Sequence, residues 1–196
     1  MAEAATLPDP QTIAAEHGDA LLGIVGRTID SGIAKGKPPQ VALQSFAPAL
    51  QAPGASFVTI EKAGALRGCI GSLQAHRPLI EDLVQNAFSA AFKDPRFPPV
   101  SAEERPALAW SISLLSQPEE MAGLKDEADL LARLEPGADG VILAEGARRA
   151  TFLPQVWEQI PDPRDFIGRL KLKAGLSPVH WSAQMRVWRY GVVKIG

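Results

Sequence analysis

The chemistry available to this chain centres on one thiol. Cys69 is the single cysteine among 196 residues, and it stands in the run Leu66-Arg67-Gly68-Cys69-Ile70-Gly71-Ser72-Leu73. A guanidinium beside a thiol favours the thiolate, which is the nucleophilic form. Gly68 and Gly71 bracket the thiol. Glycine there removes side-chain bulk, permits a bulge and lets a ligand approach the backbone. A small anionic or electrophilic ligand needs that combination, with Arg67 as the anion-binding group and Cys69 as the catalytic candidate. Packing competes with this reading, because unpaired cysteine is among the most buried residue types.

A second block, Asp94-Pro95-Arg96-Phe97, offers a carboxylate that can accept backbone N–H groups and a forked donor suited to carboxylate or phosphate. The same pair, Asp94 with Arg96, could instead fix a rigid turn with Phe97 pinned in the core. Gln155 follows Pro154 at a strand-to-helix junction, where its amide could reach into a cleft. Lys173 is accounted for by the C-terminal dipole of a helix. The three histidines, His17, His76 and His180, are too irregularly spaced to suggest zinc, so no metal is expected,. Phosphate loops, dinucleotide fingerprints, nucleophile elbows and zincin helices do not occur, and no motif names a cofactor.

The elements that must position these residues can be read from periodicity. Apolar residues at Leu21, Leu22, Val25, Ile29 and Ile33 predict a helix over Asp19–Ala34,. Gly36–Gly54 carries four prolines and reads as an irregular crossing,. Ser56–Lys62 and Ala65–Leu73 flank Ala63-Gly64 and predict a hairpin. A two-residue turn there sets Lys62 opposite Ala65, Ile60 opposite Arg67 and Val58 opposite Cys69. Arg67 and Cys69 would then share one face. Pro78 opens a helix that Asp94-Pro95 ends. Leu108–Leu115 alternates as a half-buried strand. A short helix over Lys125–Leu134, strands at Gly140–Ala144 and Arg149–Leu153, a helix over Asp165–Lys173 and a last strand near Met185–Val193 complete the order. Strands returning through short turns predict an α+β fold with antiparallel sheets packed by helices.

Hydrophobic residues make up 46% and charged residues 21%, which fits a folded globular chain,. A net charge of -2 provides no field to gather nucleic acid or an anionic membrane, and the four tryptophans do not interleave with basic runs,. No stretch approaches the ~20 apolar residues of a membrane span. Met1–Pro10 lacks the basic start and apolar core of a signal peptide, so the cytoplasm is the expected compartment. Residues 1–18 read as an N-terminal extension to one domain over 19–196.

The run from Leu66 to Leu73 resembles the signature of the AMMECR domain family, known in prokaryotes as protein A of the AmmeMemoRadiSam system. Further matches stand in order: Phe57-Val58-Thr59, Asp94-Pro95-Arg96-Phe97-Pro98-Pro99, Ser113-Leu114-Leu115-Ser116, Phe152-Leu153-Pro154-Gln155-Val156 and Lys173-Ala174-Gly175-Leu176. The resemblance spans about Leu21 to Trp181 and implies a two-lobed fold with a cleft between lobes. It implies association with a Memo-type protein and a radical S-adenosylmethionine protein, and it places the candidate site around the cysteine motif. Two functions follow: a small-ligand-binding or accessory component of a modification or metabolic pathway, or a thiol-dependent enzyme using Cys69 with Arg67. Arg67, Cys69 and at least one of Asp94, Arg96 and Gln155 are expected to converge.

Overall fold

Asp9 opens the first helix, its carboxylate accepting the backbone N–H of Thr12 at 3.1 Å while Pro10 fills the first helical position,. The computed structural model describes residues 9–196. Helix α1 (Pro10–Lys35) begins well before the predicted Asp19, and Ile13 enters the core. It stops at Gly36, whose φ of 66° suits the left-handed conformation of a helix cap,.

The proline-rich crossing contains a 3₁₀ turn (Leu43–Ser45) and a single helical turn, α2 (Pro48–Gln51). The hairpin follows as β1 (Pro53–Lys62) and β2 (Ala65–Gly71), then the two-residue β3 (Arg77–Pro78), α3 (Leu79–Phe92) and β4 (Leu108–Leu115). Beyond them come β5 (Glu119–Glu120), α4 (Glu127–Arg133), β6 (Gly140–Glu145), β7 (Arg148–Phe152), α5 (Pro163–Lys173), β8 (Arg186–Tyr190) and β9 (Val192–Ile195). The fold is α+β with two antiparallel sheets. One runs β2-β1-β4-β9 with β3 added on β1, and the other runs β5-β8-β6-β7.

The predicted last strand over Met185–Val193 is two strands. It breaks at Gly191, so that β8 pairs with β5 and β6 while β9 joins β4. Continuous alternation hides such a break, because the residues on either side still read as strand.

The chain forms two compact units, one of residues up to Ser116 with Val193–Gly196, the other of Gln117–Val192. In the first, α1 and α3 bury Leu21, Val25, Ile29, Leu83 and Ala87 with Val58, Ile60, Ile112 and Leu114 of the sheet. In the second, Val141, Leu143 and Val187 meet Leu130, Phe166, Ile167 and Leu170, and Trp157 stacks on Phe166 at 3.7 Å. Among the described residues, no helix is long and apolar enough to cross a membrane.

Candidate functional site

The β1–β2 turn is the predicted two-residue type, with Ala63 and Gly64 both at positive φ (52° and 78°) and Lys62 opposite Ala65,. The expected register beyond it fails. Glu61 faces Leu66 but Ile60 faces Gly68, so Arg67 is the extra residue of a β-bulge,. Thr59, not Val58, therefore stands opposite Cys69. A slip of one residue moves a side chain to the other face of a sheet. Cys69 thus leaves the face of Val58 and Ile60 and joins Thr59 and, across β1, Ser111 of β4.

Gly68 takes the core-facing place against α3. A Cβ there would lie 2.2 Å from the carbonyl oxygen of Ala90, so the strand can approach the helix only as glycine,. Gly71 opposes Phe57, and a Cβ on it would lie 2.1 Å from Cγ of that ring. The ring occupies the space that the glycine leaves.

β2 is an edge strand, and its exposed backbone is closed at Cys69. Asp94 Oδ2 accepts the Cys69 N–H at 2.9 Å, and Arg96 Nη2 donates to the Cys69 carbonyl at 3.2 Å. The Asp–Arg pair thereby replaces the neighbouring strand that an edge lacks. The pair is bidentate, with Arg96 Nε on Asp94 Oδ1 at 2.9 Å and Nη2 on Oδ2 at 2.7 Å. The Asp94 carboxylate is 2% exposed and the Arg96 side chain 53%. The guanidinium holds the Asp94 carboxyl well below the usual carboxylate range, against the opposing effect of burial,.

Arg67 is committed elsewhere. Its Nε and Nη2 donate to Glu104 at 3.1 and 2.7 Å, and Nη2 also donates to the Pro98 carbonyl at 2.8 Å. Both side chains are nearly buried, and the arginine draws the Glu104 carboxyl down to about 2. Phe97, half-buried, lies beneath both guanidiniums, at 5.8 Å from Arg67 and 5.5 Å from Arg96. The cation nearest Cys69 in these contacts is consequently Arg96.

On the outer face, Thr59 Oγ1 donates to Cys69 Sγ at 3.4 Å. Cys69, Thr59 and Ser111 form one cross-strand row, with Gly71, Phe57 and Ser113 as the next. The thiol is half-buried, between the reactive and the packed reading. Gln155 is exposed on the second unit, in the 3₁₀ turn Pro154–Glu158. Asp94, Arg96, Arg67, Gly68, Cys69 and Gly71 all belong to the first.

Four further residues, Glu104, Asp82, Asn86 and Thr59, hold this arrangement and were not among the expected site residues. Glu104 was visible as the end of Ser101-Ala102-Glu103-Glu104, a capping-box spacing, and it accepts the Ser101 N–H at 3.0 Å,. Asp82 and Asn86 interrupt the apolar stripe of α3. The fully buried Asp82 carboxylate accepts from Ser56 N and Oγ, Ser72 Oγ and Asn86 Nδ2 at 2.6–2.9 Å, pinning the end of β2. Thr59 stands in the matched run Phe57-Val58-Thr59, but the expected register set Val58 opposite the thiol, and only the bulge brings Thr59 to it.

A family model described as AMMECR1 matches residues 22–195. A protein of Methanothermobacter thermautotrophicus is 40% identical over 136 residues, 68% of this chain and 70% of its own length. One of Methanosarcina barkeri is 35% identical, covering 84% of this chain and 82% of its own. Among solved structures, an uncharacterized protein from Pyrococcus horikoshii superposes with a TM-score of 0.78 at 31% identity, over 91% of this chain and 90% of that one.

Proposed function

We propose that this chain, which belongs to the AMMECR1 family, is a binding or accessory component that holds a small anion beside Cys69. The observation that supports this reading is the state of Arg96. The buried Asp94 fixes one edge of the guanidinium, and Nη1 has no hydrogen-bond partner among the described residues. A half-exposed, preoriented guanidinium suits a carboxylate or phosphate. Thr59, Ser111 and the thiol supply polar neighbours on the same sheet face.

Titrating ¹⁵N-labelled protein with acetate and with inorganic phosphate tests this. The Cys69 and Gly71 amides and the Arg96 Nε–H should shift, and Arg96→Gln should abolish the response. Unmoved resonances, or the same titration in the variant, would overturn it. The accessory role we propose serves a Memo-type protein and a radical S-adenosylmethionine protein. Co-expression with those two proteins and recovery of a stoichiometric complex on a tag carried by this chain would support it, and recovery of the chain alone would oppose it.

A second reading rests on the Thr59–Cys69 contact. The Thr59 hydroxyl donates to Cys69 Sγ and orients the sulfur on the outer sheet face, as a thiol nucleophile would need,.

A further inference from the structure

A concavity of about 750 Å³ opens on the second unit, where α5, the start of α4 and residues 178–181 meet. Small-molecule sites span roughly 300–1,000 Å³. One buried cation ties its walls together. Lys171 is fully buried, donates from Nζ to Glu127 Oε2 at 2.6 Å and to the Pro178 carbonyl at 3.2 Å, and lies 5.8 Å from the Trp181 ring. Glu127, Pro178 and Trp181 all line the concavity. A buried ammonium is costly unless partnered, and here its partners are the groove's own walls. The groove is therefore built into the unit and not left over from loop packing.

Part of its exposed surface is apolar. Leu172 is 57% exposed and Val179 85%, two of the four exposed large hydrophobic residues described. Exposed apolar residues are ordinary when scattered, but these share one groove with half-buried Leu131 and Trp181,. The acids on the wall are accounted for. Asp126 caps α4, Glu127 holds Lys171, and Asp165 lies in the first turn of α5, where negative charge is favoured,. Arg164 and Arg169, both exposed on α5, have no ion-pair partner among the described residues.

We infer that this groove binds an amphiphilic anion. Its apolar body lies on Leu172, Val179 and Trp181, and its carboxylate or phosphate meets Arg164 and Arg169. Isothermal titration of the full-length Arg96→Gln chain, which lacks the anion site proposed on the first unit, tests the inference with decanoate and with decyl phosphate, each below its micelle concentration, and with decanol and inorganic phosphate as controls. Both amphiphiles should bind at one site per chain. The double variant Arg164→Gln/Arg169→Gln should weaken them by about tenfold or more, as loss of charged hydrogen bonds predicts. Leu172→Ser/Val179→Ser should abolish binding, and the Arg96→Gln background separates this groove from the anion site on the first unit. All these side chains are exposed, so unchanged circular dichroism is expected throughout. Absent binding in the Arg96→Gln background, equal affinity for decanol, or indifference to either double variant would overturn it. So would tight binding of an acidic amphipathic peptide in place of both amphiphiles, which would make the groove a protein-docking surface.

Discussion

Arg67 and Arg96 are one residue type put to different uses. Arg67 is closed in an ion pair with Glu104, while Arg96 stands half exposed with its guanidinium on the backbone of Cys69. Any electrostatic help for the thiol in these contacts comes from Arg96. Arg96→Gln removes that cation and leaves the Asp94 carboxylate on the Cys69 amide without its counter-charge. Alkylation of native Cys69 by iodoacetamide should then slow by about fivefold, equivalent to roughly 1 kcal/mol of charge interaction. Arg67→Gln, compared under conditions where it is fully folded, should leave the rate nearly unchanged. If Cys69 resists the reagent until the protein is denatured, the thiol-dependent reading fails and the anion site stands on Arg96 alone.

At the scale of elements, the hairpin shows what a sequence can and cannot declare. Ala63-Gly64 between two apolar runs was enough to locate the turn, and the alternation of Leu108–Leu115 gave β4 to the residue. The bulge at Arg67 was not legible, because its cause is tertiary: Gly68 must meet the Ala90 carbonyl of α3, and the strand shifts by one residue to let it. That shift decides which face carries Cys69, so the site's composition depended on a contact no local pattern encodes. The break at Gly191 was hidden for the same reason, since partners, not propensity, separate β8 from β9. The two glycines should respond differently to alanine. Gly68→Ala drives a methyl into helix backbone that cannot rotate away, and should cost about 2–3 kcal/mol in urea unfolding. Gly71→Ala meets the Phe57 ring, which is half-buried and can turn, and should cost about 1 kcal/mol,. A Gly68→Ala protein as stable as the wild type would remove the account of the bulge.

For the whole molecule, the response to acid follows from how the carboxylates are held. Asp94, Glu104, Glu120 and Glu145 are all kept below the ordinary carboxylate range. The leading causes are hydrogen bonds from Arg96, Arg67, Arg186 and Ser182 respectively. The folded chain therefore binds fewer protons than the unfolded chain at mildly acid pH. Stability from such groups is fully present above their unfolded values and drains away as pH falls towards their folded ones. For Glu104 the window runs from an ordinary 4.5 down to about 2. Glu104→Gln tests the assignment in two ways at once. At neutral pH it leaves the nearly buried Arg67 without its counter-charge, at a cost of about 1–3 kcal/mol,. Between pH 4.5 and 2 the variant should lose less stability than the wild type, because the titrating group is gone and the two curves converge,. Parallel curves across that interval would mean that Glu104 titrates alike in the folded and unfolded chains. The Arg67–Glu104 pair would then contribute nothing to acid stability, despite its 2.7 Å contact.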